Sequence, residues 1–148
     1  MNKKTLLKLL MILLAVVAEG MALAPNSVTV AYIQEQKNVY YSYFAVIPDA
    51  PIQMATPMAA ILGAVAGGLA ITYAVRSKRG LLRAIQVVSF LAMCFSACPI
   101  LLQQDPMVRP NVLHPICMGI LFLVALVMYK KAETLADVSH EPRKLKKR

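Results

Sequence analysis

Three long stretches of this chain contain no Asp, Glu, Lys or Arg: Ala50–Val75, Ala84–Gln104 and Pro110–Tyr129. Few features narrow the choice of fold so far. A helix needs about 20 predominantly apolar residues to cross the hydrocarbon layer of a bilayer. A helix on the surface of a water-soluble domain must turn one face to solvent, so polar residues recur every few positions. None of the three stretches shows that recurrence. The pattern argues against a soluble bundle, and 59% hydrophobic residues in a chain of 148 agrees.

The basic residues lie between these stretches. A net charge of +9 could suggest nucleic acid, but the placement of the charge argues against it. Lys3, Lys4 and Lys8 stand at the N-terminus; Arg76, Lys78, Arg79 and Arg83 stand between the first two charge-free stretches. Lys130, Lys131, Arg143, Lys144, Lys146, Lys147 and Arg148 follow the last one. Only Lys37 and Arg109 fall in the remaining connections. Lys and Arg collect in the cytoplasmic loops of membrane proteins. Alternation of basic and non-basic connections predicts a chain that crosses four times with both termini in the cytoplasm, in the plasma membrane of a bacterial cell.

The first apolar segment, about residues 6–24, admits two readings. Its charge-free core, Leu9–Ala18, has the length of a signal-peptide core, and Ala22-Leu23-Ala24 resembles a cleavage site. Pro25 would then follow the cut, a poor fit for a protease, so an uncleaved first helix is expected. The other helices are expected at about 58–75, 82–102 and 111–129, within one membrane domain. Short links at Arg76–Leu81 and Gln103–Pro110 make consecutive helices antiparallel neighbours. The expected fold is therefore an all-α membrane protein, an antiparallel four-helix bundle with a β-hairpin-like outer loop.

That loop, residues 25–57, is the longest connection. Val28–Gln34 and Val39–Val46 are β-branched and aromatic runs flanking the polar segment Glu35–Asn38, which predicts a hairpin. Four of the six tyrosines are here, where a ring can sit among headgroups with its hydroxyl wet. The loop reads either as a lid on the bundle or as a docking surface for a partner strand. Pro48, Pro51 and Pro57 are expected to end regular structure ahead of the second helix. Residues 132–148 are expected to be a basic cytoplasmic tail: a frayed helical extension, then a disordered segment that attracts anionic lipid.

Three features stand out as functional candidates. Gly63 and Gly67 form a GxxxG pair, extended backward by Ala59, which permits close helix packing within the chain or in a homodimer. Glu19 is the acidic residue inside the first span; it would bind a cation, carry a proton, or simply reach the interface. Cys98, His114 and Cys117 lie at similar depths on neighbouring helices, compatible with a Cys98–Cys117 disulfide or a thiolate–imidazole metal site. Cys94 shares a face with Cys98, but no CxxC is present, and cysteine is also an ordinary small apolar residue.

No catalytic or cofactor motif is present. Two classes of function remain. One is a non-enzymatic accessory subunit or packing partner in an envelope membrane complex, whose partners are the lipid bilayer and other membrane proteins. The other is a thiol-redox, metal-binding or small-solute transport protein using the Cys/His cluster.

Overall fold

A computed structural model describes residues 2–33, 35–47, 54–102 and 107–140. It contains α1 (Lys3–Leu23), β1 (Val28–Tyr32), β2 (Lys37–Tyr41), α2 (Ala55–Arg76), α3 (Arg79–Leu102), β3 (Met107–Pro110) and α4 (Leu113–His140). Pro48, Pro51 and the tail from Glu141 onward lie outside the described residues.

Four helices are long and apolar enough to cross a membrane. Each begins or ends within a few residues of its expected bounds, except that α4 continues past Tyr129 to His140. The first turn of α1 is capped by Asn2, whose side chain accepts from the Lys4 amide at 3.4 Å. Pro57 sits in the first turn of α2, where the missing N–H leaves no hydrogen bond unmade. Between α2 and α3 only Ser77 and Lys78 intervene. Ser77 closes α2 in the left-handed conformation at φ 52°, a position more often filled by glycine. Lys8 of α1 reaches across and donates to Ser77 Oγ at 2.6 Å and to the Ala74 carbonyl at 2.9 Å. A cation there satisfies a carbonyl that the helix end leaves free and meets the negative end of its dipole.

The helices form a ring in which α1 touches α2 and α4, and α3 touches the same two. Every helix buries a seam with alternating spacings of three and four. The seams are Met11, Ala15, Ala18 and Ala22; Ala59, Gly63, Ala66, Ala70 and Tyr73; Leu82, Ile85, Ser89, Ala92 and Ser96; and His114, Met118, Leu121, Ala125 and Met128. That spacing keeps one stripe of each helix facing its neighbours.

More than half of the residues in these seams are small, while many large apolar side chains point outward. Leu13, Val16, Ile71, Val75, Val87, Leu123 and Val127 are each more than half exposed. Such a surface would be a large apolar patch in water. Against hydrocarbon it carries no penalty, and small residues at the interior let the backbones approach closely. Size and burial are thus distributed as lipid, rather than water, requires.

A three-stranded antiparallel sheet, ordered β2–β1–β3, covers the end of the ring where α1 finishes and α2 begins. β1 pairs with β2 through Val30↔Val39 and with β3 through Val30↔Val108. Val28, Val30 and Val108 turn inward onto Ala22, Tyr43, Ile47, Ala59 and Ala60. The β1–β2 hairpin matches the β-branched and aromatic runs in the sequence; β3 was not expected. The segment Gln103–Pro110 reads as a proline-limited link, yet Met107–Pro110 adds to the edge of the sheet. Edge strands tolerate proline, since only one side of their backbone need pair.

Basic residues gather at the other end. Arg79 pairs with Glu133 at 2.9 Å, and the guanidinium groups of Arg79 and Arg83 lie 4.6 and 5.2 Å from the centre of the Tyr129 ring. Lys8 stands 5.6 Å from the ring centre of Tyr73.

A buried polar chain at the sheet end

The sheet end holds a line of polar side chains inside an otherwise apolar interior. It begins with Tyr43, just after β2, which is fully buried. The end of α1 and the turn before β1 hold it there: its amide donates to the Ala22 carbonyl at 3.1 Å and to Ser27 Oγ at 3.2 Å. Its hydroxyl donates to the Asn111 carbonyl at 2.9 Å and lies 3.0 Å from Ser96 Oγ. Burial pushes the Tyr43 phenol up to about 12, against a smaller lowering by the Ser96 hydrogen bond. Ser96, on the seam of α3, is 3.1 Å from His114 Nδ1. The Tyr43 and His114 rings also pack on each other, with centres 4.7 Å apart.

His114 is fully buried in the first turn of α4. Asn111 positions that turn by accepting from the Leu113 amide at 2.9 Å. The far nitrogen, Nε2, is buried and has no hydrogen-bond partner; the same is true of Glu19 Oε1. Both atoms lie beside Gly63. A β-carbon at residue 63 would overlap Glu19 Oε1 and come within 3.2 Å of His114 Nε2 and 3.3 Å of Met118 Cε. Gly63 therefore makes room for the meeting of α1 and α4 against α2. Gly67 differs: a β-carbon there would make ordinary contact with Ala15 Cβ at 3.4 Å. Both glycines of the GxxxG pair thus face neighbours within the chain.

Glu19 also lines a groove of ≈520 Å³ between α1 and α2, floored by Ala15, Gly20, Ala64, Gly67 and Gly68. The groove opens on the outward surface of the ring, the surface that carries the exposed Val16 and Ile71.

The cysteines are not drawn into this site. All three are free: Cys94 is exposed, Cys98 half-buried and Cys117 buried. Among the described residues no three His, Cys, Asp or Glu side chains group closely enough to hold a metal ion. The expected convergence of Cys98, His114 and Cys117 on a metal or a disulfide is not formed; the imidazole bonds Ser96 through Nδ1 and has Nε2 beside Gly63.

Sequence reasoning singled out Glu19, His114 and Gly63 separately but not their meeting, and it missed Ser96 and Tyr43. Ser96 left a trace, since it continues the 82–85–89–92 seam spacing as a polar residue. Tyr43 is one of four tyrosines in its loop, and nothing local marks it as the one that turns inward. Comparison with protein-family models, with curated proteins and with solved structures finds no match for the chain.

Proposed function

We propose that this chain is a multi-pass plasma-membrane protein, crossing four times as an antiparallel bundle with both termini in the cytoplasm. We further propose that it acts without catalysis, as an accessory subunit or packing partner in an envelope membrane complex. The observation that carries the reading is the outward surface. It is apolar around all four helices, and between α1 and α2 it is indented by a groove with small residues at its floor. Small residues are what helix association in lipid favours, because attraction there comes from close backbone approach. The basic end supports the orientation: Lys8, Arg76, Lys78, Arg79, Arg83, Lys130 and Lys131 would stand in the cytoplasm, and the sheet outside. Burial of Met11, Ala15, Ala18 and Ala22 against the ring supports retention of α1 in the mature protein.

The test is a photo-crosslinking amino acid placed at Ala64, which lines the groove. A partner subunit should be captured from intact membranes and identified by mass spectrometry, and the same probe at Leu123 on the opposite wall should capture far less. Capture of lipid alone from both positions would defeat the proposal. The other class, a thiol-redox or metal protein using Cys98, His114 and Cys117, finds less support in three ungrouped thiols. Replacement of all three cysteines by serine should leave the amount of folded protein and its crosslinks unchanged.

A further inference from the structure

The hydrogen bonds around His114 determine where its protons sit. The Tyr43 hydroxyl has one proton and gives it to the Asn111 carbonyl. Toward Ser96 it is then an acceptor, so Ser96 donates to it. The single Ser96 proton being committed, Ser96 Oγ accepts from His114 Nδ1. Nδ1 thus carries hydrogen, and Nε2 of the neutral ring is a bare lone pair. That lone pair is buried, and beside the same residue, Gly63, lies a carboxyl oxygen of Glu19 that is also buried and unpartnered; the two groups are not in hydrogen-bond or ion-pair contact. Two acceptor atoms in an apolar setting are each left without a donor, which is costly. A turn of the flexible Glu19 side chain, once protonated, would bring a donor to the imidazole.

We infer that Glu19 and His114 form a single proton-binding site beside Gly63: with one proton bound, the Glu19 side chain turns to hydrogen-bond His114 Nε2. The ligand is the proton itself. With it the pair is neutral overall, as acid beside imidazole or carboxylate beside imidazolium. Without it the half-buried carboxylate keeps Oε1 buried and unpartnered among apolar side chains, where ionised groups are costly. The surroundings leave these two residues to titrate alone. α2 contributes Gly63, α3 contributes Ser96, α4 adds Met118 beside its own His114, and the loop after β2 contributes Tyr43, whose phenol stays neutral through the physiological range. The groove beside Glu19 gives lipid-soluble molecules a route to the carboxyl group. This site does not depend on the accessory-subunit reading and would exist in a protein of either class.

The experiment uses the full chain in lipid nanodiscs and dicyclohexylcarbodiimide, a lipid-soluble reagent that attacks protonated carboxyl groups. Peptide mass spectrometry reads modification at Glu19 as pH is raised. Glu19 should react at neutral pH and lose reactivity through one midpoint on the alkaline side. In H114N that midpoint should fall by about one pH unit or more, a tenfold loss of proton affinity, as expected for sites that share a proton. No reaction at Glu19 at neutral pH, or an unmoved midpoint in H114N, overturns the inference. Should H114N fail to fold, a second measurement decides. With H140Q as background His114 is the sole histidine, and nitrogen-15 labelling reads its two ring nitrogens separately. E19Q should move the Nε2 resonance and leave Nδ1 nearly unchanged; an unmoved Nε2 resonance overturns the proposal.

Discussion

Three glycines of α2 provide a graded test of the packing around Glu19. At residue 68 a β-carbon would meet nothing within 4 Å. Gly68→Ala should therefore gain the helix preference of alanine, about 0.5–1 kcal/mol. At residue 67 the new methyl would make an ordinary contact at 3.4 Å, so Gly67→Ala should be neutral or slightly stabilising. At residue 63 the methyl would overlap the Glu19 carboxyl and press on His114 and Met118. Overpacking a well-filled site costs about 1–3 kcal/mol. After the gain in helix preference, Gly63→Ala should lose about 0.5–2 kcal/mol. The carboxyl is the movable end of a flexible side chain, so the lower half of that range is expected. Removing it should release most of the strain: in the double mutant Glu19→Ala/Gly63→Ala the glycine substitution should cost less than it does alone, by about 0.5–1 kcal/mol. The assay is unfolding of the purified protein in mild detergent by a denaturing detergent, followed by circular dichroism. If Gly63→Ala proves as stable as Gly68→Ala, the close approach of Glu19 and His114 to α2 is wrong.

Further predictions follow from the sheet and the tail. Tyr43→Phe removes the hydroxyl that joins Asn111 to Ser96 and should destabilise the protein by about 1–3 kcal/mol near neutral pH, read in the same unfolding assay. The alkaline dependence has a definite sign. Tyr43 titrates near 10 when unfolded and at about 12 when folded, so its contribution is complete below pH 10 and lost as pH rises toward 12. The loss should approach about 1.4 kcal/mol per pH unit in that window, and Tyr43→Phe should show a shallower decline; parallel curves would contradict the burial of the phenol. Deletion of Arg143–Arg148 should weaken binding to vesicles of anionic lipid while leaving helix content unchanged, and equal binding of the two forms would refute the role of the tail.

Much of this fold could be read from composition along the chain. Charge-free stretches located α2, α3 and α4, because an apolar helix of bilayer length tolerates few ionised side chains, and β-branched and aromatic runs around a polar segment located the β1–β2 hairpin. One element escaped for a physical reason. β3 is four residues long, with Arg109 and Pro110 among them, and it exists through pairing with β1, a long-range contact with no local signature. The helical extension expected beyond Lys131 is present as far as His140, and Arg79 pairs with Glu133 along it. The candidate site was legible only in part. Glu19 and His114 are conspicuous as ionisable residues in apolar helices, but their meeting depends on how α1, α2 and α4 are turned about their axes. The absence of a side chain at Gly63 permits that meeting, and a glycine in an Ala-rich helix is compatible with many other packings.

The central claim is that the four apolar helices lie in a bilayer, with the sheet on one side of it and the basic end on the other. Asn38 is exposed on β2, far in the fold from the basic end. A cysteine placed there in a background lacking the native thiols should react with a membrane-impermeant maleimide on intact cells. A protease site fused after Arg148 should resist cleavage until the cells are opened. Cleavage of that site on intact cells with Asn38→Cys unlabelled, or recovery of the protein in the aqueous fraction without detergent, would contradict the account.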